Sequence, residues 1–175
     1  MSFAFTFRTL EDVKDIPKLI DFLRKQDLGY PNYQDWVQRT EHEINIGYKI
    51  PILAFSEGTL VGDLIYQAHK ELPRVRELKN LRIHPRLRGR AFAHFLLKQA
   101  EVESSHEYDA ILCDVRATQN EMLNLLKLFR YRPIFNLPLY DQNNLDVVLL
   151  KSSSHVKNRF IIAPEQENFT PLCLS

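Results

Sequence analysis

The chain has 175 residues, of which 45% are hydrophobic, and its 23 basic and 22 acidic side chains leave a formal net charge of +1. That length supports one domain with a core that needs no staple, and the balanced charge excludes a global attraction to nucleic acid or membrane, so any basic site is local. Two cysteines, Cys113 and Cys173, are too few for a disulfide framework or a zinc module; they fit a reducing compartment, with one disulfide between them left open.

The start, MSFAFTFRTLEDVKD, lacks the profile of a signal peptide, and no run approaches the about 18 apolar residues of a membrane span, so a soluble cytoplasmic protein is expected. Alternation of Phe3, Phe5 and Phe7 predicts a first strand over Phe3 to Arg8. In EDVKDIPKLIDFLRKQ, Val13, Ile16, Leu19, Ile20 and Leu23 recur at helical spacing, with Pro17 tolerable only in the first turn. A second helix, YQDWVQRTEHEI, places Tyr33, Trp36, Val37, Thr40 and Ile44 on one face and stops at Gly47.

IPILAFSEGTLVGDLIYQ reads as a hairpin turning at Ser56-Glu57-Gly58, where Gly58 supplies a positive φ. A strand follows over Val75 to Ile83, then a helix from Ala91 to about Glu103 that points Phe92, Phe95, Leu96 and Ala100 at the core. YDAILCDVRA is a buried strand, NEMLNLLKLF a helix, and PIFNLPLY and LDVVLLKS two strands around the turn DQNN. The order β-α-α-β-β-β-α-β-α-β-β predicts an α/β (α+β) fold, a mixed sheet with helices on both faces. The expected domain covers residues 1–152, with a polar extension over 153–175.

The stretch of most chemical interest is LKNLRIHPRLRGRAFAHFLLKQAE, where a strand hands over to a helix through Arg86-Leu87-Arg88-Gly89-Arg90-Ala91. The free N–H groups of a first helical turn and the helix dipole favour an anion, Gly89 admits a close approach, and rim arginines pair with phosphate oxygens. Three spaced arginines are equally a solvated surface. The six histidines show no metal-ligand spacing, and no metal is expected. His84 and His94 bracket the turn and read as surface residues. Cys113 reads as a small core residue, and Asp109, Asp114 and Arg116 could line a cleft. The arginine turn lacks the interleaved aromatics of a nucleic-acid site.

This turn resembles the signature of the GNAT superfamily of acyl-CoA-dependent N-acyltransferases, Gln/Arg-x-x-Gly-x-Gly/Ala, with Ile83-His84-Pro85 as its approach. The likeness in element order runs over residues 3–152 and is specific over Leu78 to Ala100. It implies a mostly antiparallel sheet of about seven strands flanked by about four helices, acetyl-CoA as cosubstrate and an amine of a small molecule, peptide or protein as acceptor. The resemblance implies that N–H groups of Arg88, Gly89, Arg90, Ala91, Phe92 and Ala93 hold the pyrophosphate. Arg86 takes the Gln/Arg place, and Leu81, Arg82 and Ile83 line the pantetheine edge. Six residues before Ile83, Glu77 is implied as general base, against a reading as a surface glutamate balancing Arg74, Arg76 or Lys79.

The stretch VRATQNEMLNLLKLFRYRPI departs from the family's second motif. Without gaps Gln119 takes the cofactor-contacting Asn place, and with a slip of one residue Asn120 does. Leu126 stands where a proton-donating tyrosine is usual, Tyr131 or Tyr140 being substitutes, and Arg130-Tyr131 replaces Gly-Phe. A module that binds acyl-CoA without turnover is therefore the alternative. The aromatics of GYPNYQDW sit where the family places its acceptor loop, or serve the core. An acidic groove there would point to polyamines or aminoglycosides, a neutral one to peptides or small amines. The hairpin or the tail is the expected face of any homodimer.

Overall fold

A computed structural model describes residues 4–27 and 29–153; Phe3, Cys173, His155 and the expected extension beyond Ser153 lie outside the described residues. Seven strands form one sheet: β1 (Phe5–Thr9), β2 (Lys49–Ser56), β3 (Thr59–Ala68), β4 (Val75–Ile83), β5 (Ala110–Arg116), β6 (Arg132–Leu137) and β7 (Asp146–Ser152). The strand order is β1-β2-β3-β4-β5-β7-β6. Every pairing is antiparallel except β4 with β5, the two strands joined through a helix.

The helices are α1 (Asp15–Arg24), α2 (Tyr33–Asn45), α3 (Phe92–Val102) and α4 (Asn120–Leu128). Each sheet face carries two of them. Ile16, Leu19, Ile20 and Leu23 of α1 join Tyr33, Val37 and Ile44 of α2 over Leu53, Phe55 and Ile65. On the opposite face, Phe92, Leu96, Leu97 and Ala100 of α3 and Leu126 of α4 cover Ile52, Leu64, Leu78, Ile111 and Leu149. The expected element order, sheet and two-faced layering are present.

Helix boundaries follow the local chemistry. Pro17 sits in the first turn of α1, and Val13 lies outside the helix, 72% exposed. Helix α2 ends as its sequence predicts: Gly47, at φ +74°, donates to the Ile44 carbonyl, and Tyr48 to that of Glu43. Helix α4 closes with the same pair of bonds, from Arg130 to Lys127 and from Tyr131 to Leu126, but the left-handed position, at φ +65°, is Arg130. Arginine thus occupies a glycine's conformation, and Tyr131 is buried behind it.

Two expectations need correction. Phe95 is 57% exposed, because Phe92, Leu96, Ala100 and Leu97 define the buried arc of α3 and Phe95 falls to one side of it, resting on Phe7. The strand expected over Pro133 to Tyr140 ends at Leu137, beyond which residues 138–145 form the link to β7.

The far end of α3 is fastened to the sheet. Arg76 of β4, 5% exposed, donates to the carbonyls of Ala100 and Glu103 and lies between the rings of Tyr66 and Tyr108, at 4.1 and 4.2 Å. A cation at a helix C-terminus is favoured by the dipole as well as by these bonds.

The left-handed arginine is directly testable. Arg130→Gly removes the steric cost of αL at an exposed position and is expected to raise the unfolding free energy by about 1 kcal/mol. Urea unfolding of the two proteins measures the difference.

Candidate active site

Strands β4 and β5 pair over only four positions, Val75 to Leu78 against Ala110 to Cys113. Beyond them β5 turns to β7, and from Lys79 to Ile83 one edge of β4 has no strand partner among the described residues. The parting coincides with a bulge, because Ile65 faces Asn80 while Tyr66 faces Leu78, leaving Lys79 without a partner in β3.

A cavity of about 360 Å³ occupies the gap, and it is lined from both faces of the sheet. Leu97, Met122 and Leu126 line it from the side of α3 and α4; Tyr30, Tyr33, Trp36 and Arg39 line it from the side of α1 and α2. The tyrosines and tryptophan of GYPNYQDW therefore do face the cavity.

The turn that follows β4 leaves a run of backbone donors free. After a 3₁₀ turn over Pro85–Leu87, Arg88 is extended, and Gly89 and Ala91 take φ +74° and +63° before α3 starts. The first amide of α3 to find an acceptor is Phe95, bonded to Ala91. The N–H groups of Gly89, Arg90, Ala91, Phe92, Ala93 and His94 donate to none among the described residues, and no side chain caps the helix. A Cβ built on Gly89 meets nothing within 4 Å, so the approach is open.

Among the residues singled out from sequence, Leu81 and Arg82 line the cavity, and Ile83 is buried at the end of β4. Arg88 turns back so that its Nε donates to the Ile83 carbonyl, while Arg86, Arg88 and Arg90 are all exposed. Phe92 buries its ring against Phe5 and Phe7 and offers only its backbone; Ala93 is half-buried. Gln119 lines the cavity, whereas Asn120 is exposed in the first turn of α4. His84 Nδ1 accepts from the Arg86 amide, and His94 packs on Phe129. Cys113 lines the cavity wall with its thiol pKa pushed up by burial, which removes its nucleophilic form.

Glu77 faces an adjoining depression that shares Trp36, Arg39 and Lys79 with the cavity. Its carboxylate accepts from Lys79 Nζ at 2.8 Å and Gln67 Nε2 at 3.0 Å. The carboxylate lining the cavity itself is Asp114, the first residue of β5 beyond the last pair with β4. Tyr140 Oη donates to Asp114 Oδ2 at 2.7 Å. Burial raises the pKa of Asp114 against the opposing hydrogen bond from Tyr140, and burial beside that carboxylate raises the Tyr140 phenol.

Tyr140 is held by the link between β6 and β7. Arg116 pairs with Asp141 at 3.0 Å, the Leu139 amide donates to Asp146, and the Tyr30 ring stands edge-on to Tyr140 with centroids 5.2 Å apart. Asp114 and Tyr140 were each visible in the sequence as candidates, but nothing in it joins two residues 26 positions apart.

No family model and no curated protein sequence matches the chain. Solved structures do. The acetyltransferase of the GNAT family from Streptococcus pneumoniae aligns with a TM-score of 0.71 and 16% identity, covering 85% of this chain and 99% of its own. The ribosomal-protein-S18-alanine N-acetyltransferase of Escherichia coli gives 0.70 at 13% identity, over 90% and 99%. Arabidopsis thaliana NAA60 in complex with acetyl-CoA gives 0.69 at 16% identity, over 85% and 98%. The fold of this chain is the GNAT fold. Among the described residues no helix is long and apolar enough to cross a membrane.

Behind the cavity wall, Asn80 bonds the fully buried Asp63, and Oδ1 of each lacks a partner among the described residues. Burial pushes the Asp63 carboxyl up to about 7, against the pull of Arg82 and Asn80. Because the folded pKa lies above the unfolded one, the protonated group contributes stability below about pH 4, and that contribution is lost as pH rises through about 7. Asp63→Asn mimics the protonated form. It is expected to match wild type near pH 4 and exceed its stability near pH 8, as read by denaturant unfolding across that range.

Proposed function

We propose that this protein is an acetyl-CoA-dependent N-acetyltransferase. The observation that carries the reading is a through-sheet cavity whose open β4 edge leads to a helix start with six undonated amides. In this reading the amides from Gly89 to Ala93 and the exposed Arg86, Arg88 and Arg90 side chains take the pyrophosphate, the expected Arg88 amide being already bonded to the Pro85 carbonyl, and the edge at Leu81, Arg82 and Ile83 takes the pantetheine arm. Gln119 rather than Asn120 faces that arm, since it lines the cavity. The acceptor amine enters from the side of Tyr30, Trp36 and Tyr140. The complex of NAA60 with acetyl-CoA supports the choice of acyl donor by analogy of fold.

Two carboxylates are in place for proton removal. Asp114 meets the amine directly, while Glu77, from the adjoining depression, acts through water. Asp114 takes one proton from the ammonium, and the freed lone pair forms the C–N bond at the thioester carbonyl. The C–S bond breaks with its electron pair on sulfur, and the second nitrogen proton leaves with the thiolate as free thiol. Asp114 returns its proton to solvent.

Leu126, buried and unable to donate a proton, favours a second reading: a module that binds acyl-CoA without turnover. Calorimetry with acetyl-CoA and a thiol-release assay over an amine panel separate the two, since binding without thiol release supports the second. Gly89→Asp places a carboxylate against the phosphates, in a left-handed position that Asp tolerates better than most residues, and is expected to weaken acetyl-CoA binding at least about tenfold. Asp114→Asn is expected to lower turnover about 100-fold with acetyl-CoA binding retained, and Glu77→Gln about tenfold. The reverse ranking would assign the proton to Glu77.

A further inference from the structure

The acceptor half of the cavity is basic. Its charged lining residues are Arg39, Lys79 and Arg82 against the single carboxylate of Asp114. Lys79 is paired with Glu77 at 2.8 Å. Arg82 donates to the carbonyls of Gln26 and Leu81, lies beside Tyr33 and faces the buried Asp63 carboxyl. Arg39 is exposed on α2 and makes no ion pair or hydrogen bond among the described residues.

The adjoining depression does not cancel this excess. There Glu43 is matched by Lys49 at 2.7 Å and Glu77 by Lys79, while Lys70 and Glu71 offset each other in formal charge at the rim beside His69. Arg39, which borders both hollows, is left over. The aromatic wall between it and Asp114 does not take up its charge, for Lys49 already lies over the Trp36 ring and Arg116 over that of Tyr30.

The cavity lining thus carries two hydrogen-bonding groups of opposite sign. One is the acceptor-only carboxylate of Asp114, held by Tyr140 at the point where β4 and β5 part. The other is the Arg39 guanidinium, unpaired among the described residues, which offers a fork of donors suited to a carboxylate or phosphate. Resting on the acetyltransferase reading, we propose that the acceptor is an amine bearing a separate anionic group. The ammonium is seated at Asp114 and Tyr140, and the anion at Arg39. A polyamine, which carries several cations and no anion, is disfavoured by the same lining.

Thiol release from acetyl-CoA tests this with matched acceptors. These are a tripeptide with an acidic side chain and its amidated counterpart, a free amino acid and its amide, O-phosphoethanolamine and ethanolamine, and spermidine. In at least one pair the anionic member is expected to show a kcat/KM about tenfold higher or more. Whether the carboxylate or the phosphate pair shows it identifies the anion. Arg39→Glu is expected to abolish the preference and Arg39→Lys to retain most of it, and added salt should weaken it. Arg39 is exposed, so neither substitution threatens folding.

Neutral members reacting equally well in every pair, spermidine reacting best, or a preference unmoved by Arg39→Glu would each overturn the proposal while leaving the acetyltransferase reading intact. Acetyl-CoA that binds but releases no thiol with any amine would overturn both.

Discussion

The early parting of β4 from β5 is the constraint on which the rest of the site depends. Parallel pairing needs a crossover, here α3, and it lasts for four residue pairs before the strands diverge. A strand edge left open inside a protein is costly unless something else satisfies its backbone groups. In this chain the divergence makes a passage between the two helical layers, delivers Lys79 and Asp114 to its start, and directs the end of β4 into the glycine-bearing turn. The bulge at Lys79 belongs to the same event, since one extra residue reorients β4 relative to β3 where β5 lets go.

Two carboxyls near this passage show how one physical effect yields two chemistries. Burial raises the pKa of both Asp63 and Asp114. Asp63 is sealed within the sheet and accepts from the Asn80 amide, where burial favours a retained proton. Asp114 opens on the cavity, where a phenol donor and Lys79 favour its charged form. The first bears on stability, the second, in the proposed reaction, on the acceptor amine. Only the surroundings distinguish them.

Much of the fold was legible because periodicity and turn chemistry agreed. Helix α2 revealed its buried face through Tyr33, Val37, Thr40 and Ile44 and its end through Gly47, and the hairpin did so through alternation around Gly58. What escaped depended on context. Glu57, Ala91 and Arg130 adopt positive φ where a sequence reader expects glycine. Phe95 has the helical spacing of a core residue but lies just beyond an arc set by Leu97. Gln119 and Asn120 differ by one position, and the start of α4 decides which of them meets the cavity. The cavity's charge was invisible, since Arg39, Lys79, Arg82 and Asp114 come from three different elements.

Arg76 gives the turn at the head of α3 its mechanical character. By gripping the carbonyls of Ala100 and Glu103 between two tyrosine rings, it clamps α3 at the end opposite its open amides. A helix held at its tail is restrained from sliding or tilting, so in the acetyltransferase reading proposed above the cradle would be ordered before the phosphates arrive. The cost of ordering it is met when the chain folds rather than at each encounter, which leaves more of the contact energy to appear as affinity.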